Sequence, residues 1–309
     1  MDAKQLEALS VESATIVSQP TMWQRVLRNG SVRLGGVALL ILLAVALAAP
    51  WLGTVDPSLF DPASRDLLPG KTGEITTLEG ETLKHQFLMG SDSFGRDIYS
   101  RVIYGTRVSL IVGVATALVA LLFGIALGLM AGFLRWLDGP LMRVMDGLMA
   151  IPAILIAIAL VAMWRGSLLT VVVAIASPEI PRVTRLVRSL VLTIREEPYV
   201  EAAISLGTPT IKIMWRHILP NTVAPLIVQG TFICASGILV EAILSFLGVG
   251  LPPDIPTWGN VMAEGRAQFN EYPHNIFFPG IFLAVTVLAV NILGDGLRDT
   301  LDPKMAKRV

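Results

Sequence analysis

Residues 196–221 read EEPYVEAAISLGTPTIKIMWRHILPN, a largely polar stretch between long apolar runs. Glu201, Ala202 and Ala203 are good helix formers, and the two alanines leave room for another surface to come close. Gly207 suits a C-terminal cap with a left-handed backbone. Thr208 is placed to cap a second helix, with Pro209 at its first position, where a missing N–H costs nothing. Pro220 is expected to end that helix before the next apolar run. The stretch thus predicts a helix, a corner and a second helix, rigid and exposed, of the kind that docks a partner. The plainer alternative is a well-capped connecting loop.

The surroundings of this stretch decide what class of protein carries it. The chain has 309 residues, 53% hydrophobic and only 16% charged, with a mean hydropathy of +0.67. A soluble domain carries about 25% charged residues, so an ordinary cytosolic protein is excluded. Lys plus Arg and Asp plus Glu balance at 24 each, which argues against a nucleic-acid binder. Apolar runs of membrane-spanning length occur at 34–52, 108–132, 144–163, 222–246 and 276–293. A shorter one at 168–180 is interrupted by Pro178 and Pro181. Charge decides whether it counts. With six spans and a cytoplasmic N-terminus, sixteen Lys and Arg fall inside and eight outside, whereas five spans put the basic 178–221 segment outside, against the positive-inside rule. The reading is an all-α membrane protein of six helices with both termini cytoplasmic.

The expected organisation is a polar cytoplasmic arm over 1–33, a first span at 34–52 read as an uncleaved anchor, and an external segment over 53–104. A transmembrane domain over 105–294 and a cytoplasmic tail over 295–309 follow. Ile98, Val102 and Ile103 suggest an interfacial helix feeding the second span. Gly113, Gly124, Gly128 and Gly132 would let helices approach closely. The 72–87 stretch has no assigned role.

Residues able to do chemistry are few. Pro69–Gly73 echoes the tail of a nucleotide-binding loop, but Arg65 stands where its first glycine belongs, so a turn is the better reading. His85, His217 and His274 are scattered, which leaves a zinc or catalytic site without support. Cys234, in an apolar run, reads as a packing residue. Two carboxylates sit in or near apolar runs and are candidate intramembrane polar sites. Asp146 could pair with Arg143 or bond backbone; Glu241 is divided between a helix–helix bond and the lining of a pathway.

Glu201-Ala202-Ala203, Gly207 four residues on, and Leu219-Pro220 resemble the EAA loop of ATP-binding-cassette importer permeases, with His217 where an Ile is common. Arg216 to Asn221 looks like the dipeptide, oligopeptide and nickel branch. Further likenesses are Gly90-Ser91-Asp92, Gly95-Arg96-Asp97, Met142-Arg143 with Asp146 and Pro152, Leu244 to Gly248, Pro256 to Gly259, and Gly294 to Asp299 with Leu301-Asp302-Pro303. The resemblance runs from about residue 23 to 305 and is close to the second (C-type) permease. It implies a type I importer permease fold in the bacterial inner membrane, and half of a heterodimer with a second homologous permease. Two cytoplasmic ATPase subunits, binding ATP and Mg, and an external solute-binding protein would complete the complex. The chain itself would be no enzyme and hold no cofactor or metal. Glu201, Ala202, Ala203, Gly207 and Pro220 would form the ATPase-coupling loop. Peptides are the leading cargo; nickel, glutathione, opines or oligosaccharides are alternatives, and a stand-alone secondary transporter is the rival of a different class.

Overall fold

The computed structural model describes residues 22–77, 79–164 and 166–301. Most of the predicted arm over 1–33, together with Asp302 and Pro303, therefore lies outside the described residues. Helices dominate: α1 (Met22–Arg28), α2 (Gly30–Ala48), α3 (Ile98–Phe133), α4 (Arg135–Met149), α5 (Ala153–Met163), α6 (Leu168–Ala176), α7 (Glu179–Arg195), α8 (Pro198–Ser205), α9 (Thr210–Ile213), α10 (Leu219–Phe246), α11 (Trp258–Gly265) and α12 (His274–Leu301). One antiparallel hairpin, β1 (Lys71–Thr76) with β2 (Thr82–Phe87), pairs from Lys71 opposite Phe87 to Thr76 opposite Thr82. It occupies the stretch that the sequence left without a role, and buries Ile75 and Phe87.

By length and composition, four helical segments among the described residues could cross a membrane: 30–51, 98–133, 210–246 and 274–301. The pair α4 and α5 makes a fifth if counted as one span bent by 88°. Ile151-Pro152 sits at this break, where proline both removes a donor and pushes the preceding residue out of helical backbone.

Several boundaries move. The predicted interfacial helix at 98 is instead the first three turns of α3, begun by the Asp97 carboxylate accepting from Ser100 N at 2.9 Å. The basic segment 178–221, read as a non-membrane piece on the cytoplasmic side, contains α7, which lies along α3. Those arginines find partners on the bundle: Arg182 on Glu179, Arg185 on Asp146, and Arg188 on both oxygens of Asp138.

Close packing of α3 on α7 is made possible by a row of glycines. A Cβ on Gly128 would lie 2.5 Å from Val187 Cβ, and one on Gly132 would lie 2.6 Å from Val191 Cβ; Gly124 meets Val183 in the same way. The pairing ascends together on both helices, so they run parallel. Around this seam Val183, Val187, Val191, Val200, Ile213 and Ile218 form the apolar cluster at one end of the molecule, here termed the corner end. At the opposite, hairpin end, Ile98, Val102, Trp258 and Val261 pack together, and Trp258 Nε1 donates to Val102 O at 3.1 Å.

Helix α2 starts where Asn29 Oδ1 accepts from Ser31 N at 2.8 Å and Val32 N at 3.2 Å. Removing this cap with Asn29→Ala is expected to cost about 1 kcal/mol, readable as a small fall in thermal unfolding temperature of the purified chain with no change in helix content.

Candidate functional site

The corner is built from local rules. Pro198 opens α8, and Glu201 sits in its first turn, where the helix dipole favours a carboxylate. Val200 and Ala203 face the apolar cluster, whereas Glu201 and Ala202 face outward. Only one of the two alanines is therefore free for another surface. Gly207 has φ +74°, its N–H donates to Ile204 O at 2.9 Å, and Thr208 N closes onto Ala203 O at 3.1 Å. This is the left-handed cap that the sequence suggested.

Two expectations fail here by a residue or a turn. Thr208 does not cap the next helix: Pro209 takes the flanking position with ψ 138°, and α9 begins at Thr210 with no side-chain cap. Nor does Pro220 end that helix. A π-helical turn over Met214–Ile218 joins α9 to α10, and the rod is unbroken from Thr210 to Phe246. The wider turn accommodates the ring of Pro220, which would otherwise strike the carbonyl one turn back. Asn221 Nδ2 binds the joint from the side, donating to His217 O at 2.6 Å and Tyr199 Oη at 3.2 Å. The corner presents apolar side chains to its surroundings: Leu206 is 85% exposed, Ile211 71% and Trp215 68%. Such a patch at a rigid turn marks an interaction surface.

Between the two ends lies a cavity of about 360 Å³, walled by α7, α10 and α12. Its polar groups are Glu179, Arg182, Gln229, Ser236 and Asn291. Neither Gln229 nor Asn291 was marked in the sequence. A single carboxamide in an apolar run is the signal that identifies them, a weaker one than a full charge.

The two carboxylates that were marked lie elsewhere. Asp146 is about half exposed on α4 and pairs with Arg185 rather than Arg143. Glu241 is fully buried, with Oε1 accepting from Ser245 Oγ at 2.8 Å. It does not line the cavity.

At the hairpin end a second cluster unites distant segments. Arg96 binds Asp92 at 2.7 Å and also pairs with Glu264, while the fully buried Arg101 reaches Glu264 Oε1 at 3.3 Å and Pro253 O at 3.1 Å. Burial holds the Glu264 carboxyl above its ordinary range, with the Arg101 and Arg96 guanidiniums pulling against that rise. Glu264 carries no signal at the level of sequence, since it lies in a short segment without apolar periodicity.

The chain and its fold have counterparts. Residues 120–307 match the family described as the binding-protein-dependent transport system inner membrane component. The chain is similar to a probable peptide ABC transporter permease of Sinorhizobium fredii, 49% identical over 91% of each chain. It is also similar to a di/tripeptide transport system permease of Pseudomonas aeruginosa, 40% identical over 92% of this chain and 91% of that one. A glutathione transport system permease of Pectobacterium atrosepticum is 40% identical over 92% and 90%. Among solved structures, an inward-facing form of the MetNI methionine ABC transporter matches 66% of this chain and 97% of its own, with a TM-score of 0.54 at 15% identity, a likeness of fold. The chain therefore belongs to the family of binding-protein-dependent transport system inner membrane components, as a multi-pass permease that is not itself an enzyme and for which the family implies no cofactor.

Proposed function

We propose that this permease forms one half of a peptide pathway, paired with a second homologous permease, and takes its driving force from ATPase subunits at the corner end. Membership of the family places it in a complex with an ATPase and a binding protein; the two-plus-two stoichiometry is part of the proposal. The corner end is then cytoplasmic and the hairpin end external, with six spans in which α6 and α7 together make the fourth. Support for this assignment comes from Arg195, Lys212 and Arg216 at the corner end and from the external reading of 53–104; Arg182, Arg185 and Arg188 then lie within the fourth span. Peptide cargo is supported by the relatives named for peptides, di/tripeptides and glutathione, the last itself a tripeptide.

The observation that carries the coupling role is the exposed apolar corner around Gly207, with Leu206, Ile211 and Glu201 directed away from the bundle. An ATPase cleft closing on α8 would meet Glu201 and Ala202, and movement there would pass into α10. ATP binding and hydrolysis would bias the bundle between inward- and outward-facing states by rigid-body motion, without covalent change to the cargo.

Gly207→Val tests this. Its Cβ meets open space, so the bundle is not overpacked, but a β-branched residue resists φ +74°. The expected result is normal membrane insertion with peptide uptake lost and ATP hydrolysis by the assembled complex retained. Unchanged uptake would remove the corner from the coupling mechanism. Cysteine labelling at position 208 in intact cells checks the orientation independently: protection from an impermeant reagent is expected.

A further inference from the structure

The cavity between α7, α10 and α12 lies close to half-way along both long helices. Gln229 is ten residues into the 28-residue α10, and Asn291 is ten residues from the end of the 28-residue α12. At 1.5 Å per residue each is about 15 Å from its helix end, deep in the hydrocarbon if these helices cross the bilayer. Polar side chains at that depth face a cavity or a partner. Both are half-buried, both contribute to the wall, and among the described residues neither carboxamide makes a hydrogen bond to the protein. Ser236, by contrast, returns its hydroxyl to Ile233 O at 3.1 Å, and Glu179 accepts from Arg182 Nη1 at 2.5 Å. The unspent hydrogen-bonding capacity of the wall is therefore concentrated in two neutral amides.

We propose that this cavity is a cargo subsite that reads the peptide main chain. It rests on the peptide-importer reading and adds to it the groups that hold the cargo in transit. A carboxamide offers two N–H donors and a carbonyl acceptor, complementary to the C=O and N–H of a peptide bond. Recognition of this kind takes no account of cargo side chains, as a carrier of varied sequences requires. The Glu179–Arg182 pair on the same wall is closed on itself and leaves the recognition to the two amides. The volume, about 360 Å³, lies within the roughly 300–1,000 Å³ usual for small-ligand sites.

The test uses the whole importer in proteoliposomes, with its binding protein supplied outside and radiolabelled trialanine as the probe. Gln229→Met and Asn291→Leu keep side-chain bulk while removing the hydrogen-bonding groups. The double variant is expected to assemble normally, to retain ATP hydrolysis stimulated by the binding protein within about twofold, and to import trialanine at least about tenfold more slowly, because each lost partner leaves a main-chain group unpaired in a low-dielectric site. Unchanged import would overturn the subsite. Loss of assembly with the second permease would overturn it equally, by showing that the carboxamides bind that subunit instead. A wild-type importer that carries no peptide at all defeats the peptide reading itself, and the two failures are separated by that control.

Discussion

Gly128→Leu is expected to abolish the packing of α3 on α7, destabilising the chain by about 3 kcal/mol. The new Cβ would stand 2.5 Å from Val187 Cβ and 2.8 Å from Thr184 O, so the obstruction includes backbone as well as a side chain. Rotamer changes in Val187 cannot relieve it, because the clash is at its Cβ. The helices must separate, and separation opens the Gly124 and Gly132 contacts on either side. In a membrane the hydrophobic effect does not hold helices together, and close van der Waals contact along such a small-residue seam is a main source of association. Thermal unfolding of the purified chain in detergent measures the effect. Gly147→Ala, at a helical glycine with open space around it, serves as control and should be neutral or slightly stabilising. Equal unfolding temperatures for Gly128→Leu and the wild type would mean that α3 and α7 are not packed face to face.

Comparable loss is expected from Glu264→Leu, for an electrostatic reason. The substitution leaves Arg101, fully buried, without the one carboxylate it pairs with among the described residues, and removes the second partner of Arg96. Breaking one side of a buried ion pair costs about 3–5 kcal/mol, whereas replacing both members by apolar residues is often neutral. The double variant Arg101→Met/Glu264→Leu should therefore recover most of the stability lost by Glu264→Leu alone. Arg96 keeps Asp92 in both. A double-mutant cycle read by chemical denaturation supplies the coupling; strict additivity of the two substitutions would show that the pair is not coupled. Structurally, the cluster ties α3 to the segment before α12, so loosening it should also expose the hairpin end to proteolysis.

The parts legible from sequence were those fixed by local rules. Long apolar runs identified α2, α3, α10 and α12, since hydropathy over twenty residues is independent of tertiary context. Gly207 announced its left-handed cap, and the Gly124, Gly128 and Gly132 row announced a close seam. What failed depended on distant partners. The stretch of α7 was placed outside the membrane because Arg182, Arg185 and Arg188 make it basic, and only the folded chain shows Asp138, Asp146 and Glu179 receiving them. Pro220 looked like a helix end because a π-helical turn that absorbs proline leaves no signature of its own. The hairpin at 71–87 was missed for a similar reason: its inward residues, Ile75 and Phe87, are too few to reveal an alternating pattern. Of the candidate site, the corner was readable and the cavity was not, since Gln229 and Asn291 are conspicuous only once three helices bring them to one wall.

The continuous helix from Thr210 to Phe246 has a mechanical consequence. Its 37 residues make a shaft of about 55 Å, continuous in backbone but interrupted near its foot by the π-helical turn over Met214–Ile218 and by Pro225, the two places where it can bend. Beyond Pro225 the helix runs 21 residues to Phe246 without a proline, so a sideways shift of that part at its lower end would reappear at its head with opposite sign about whatever fulcrum the neighbouring helices supply. Constriction at one face and dilation at the other would then be two aspects of a single seesaw stroke.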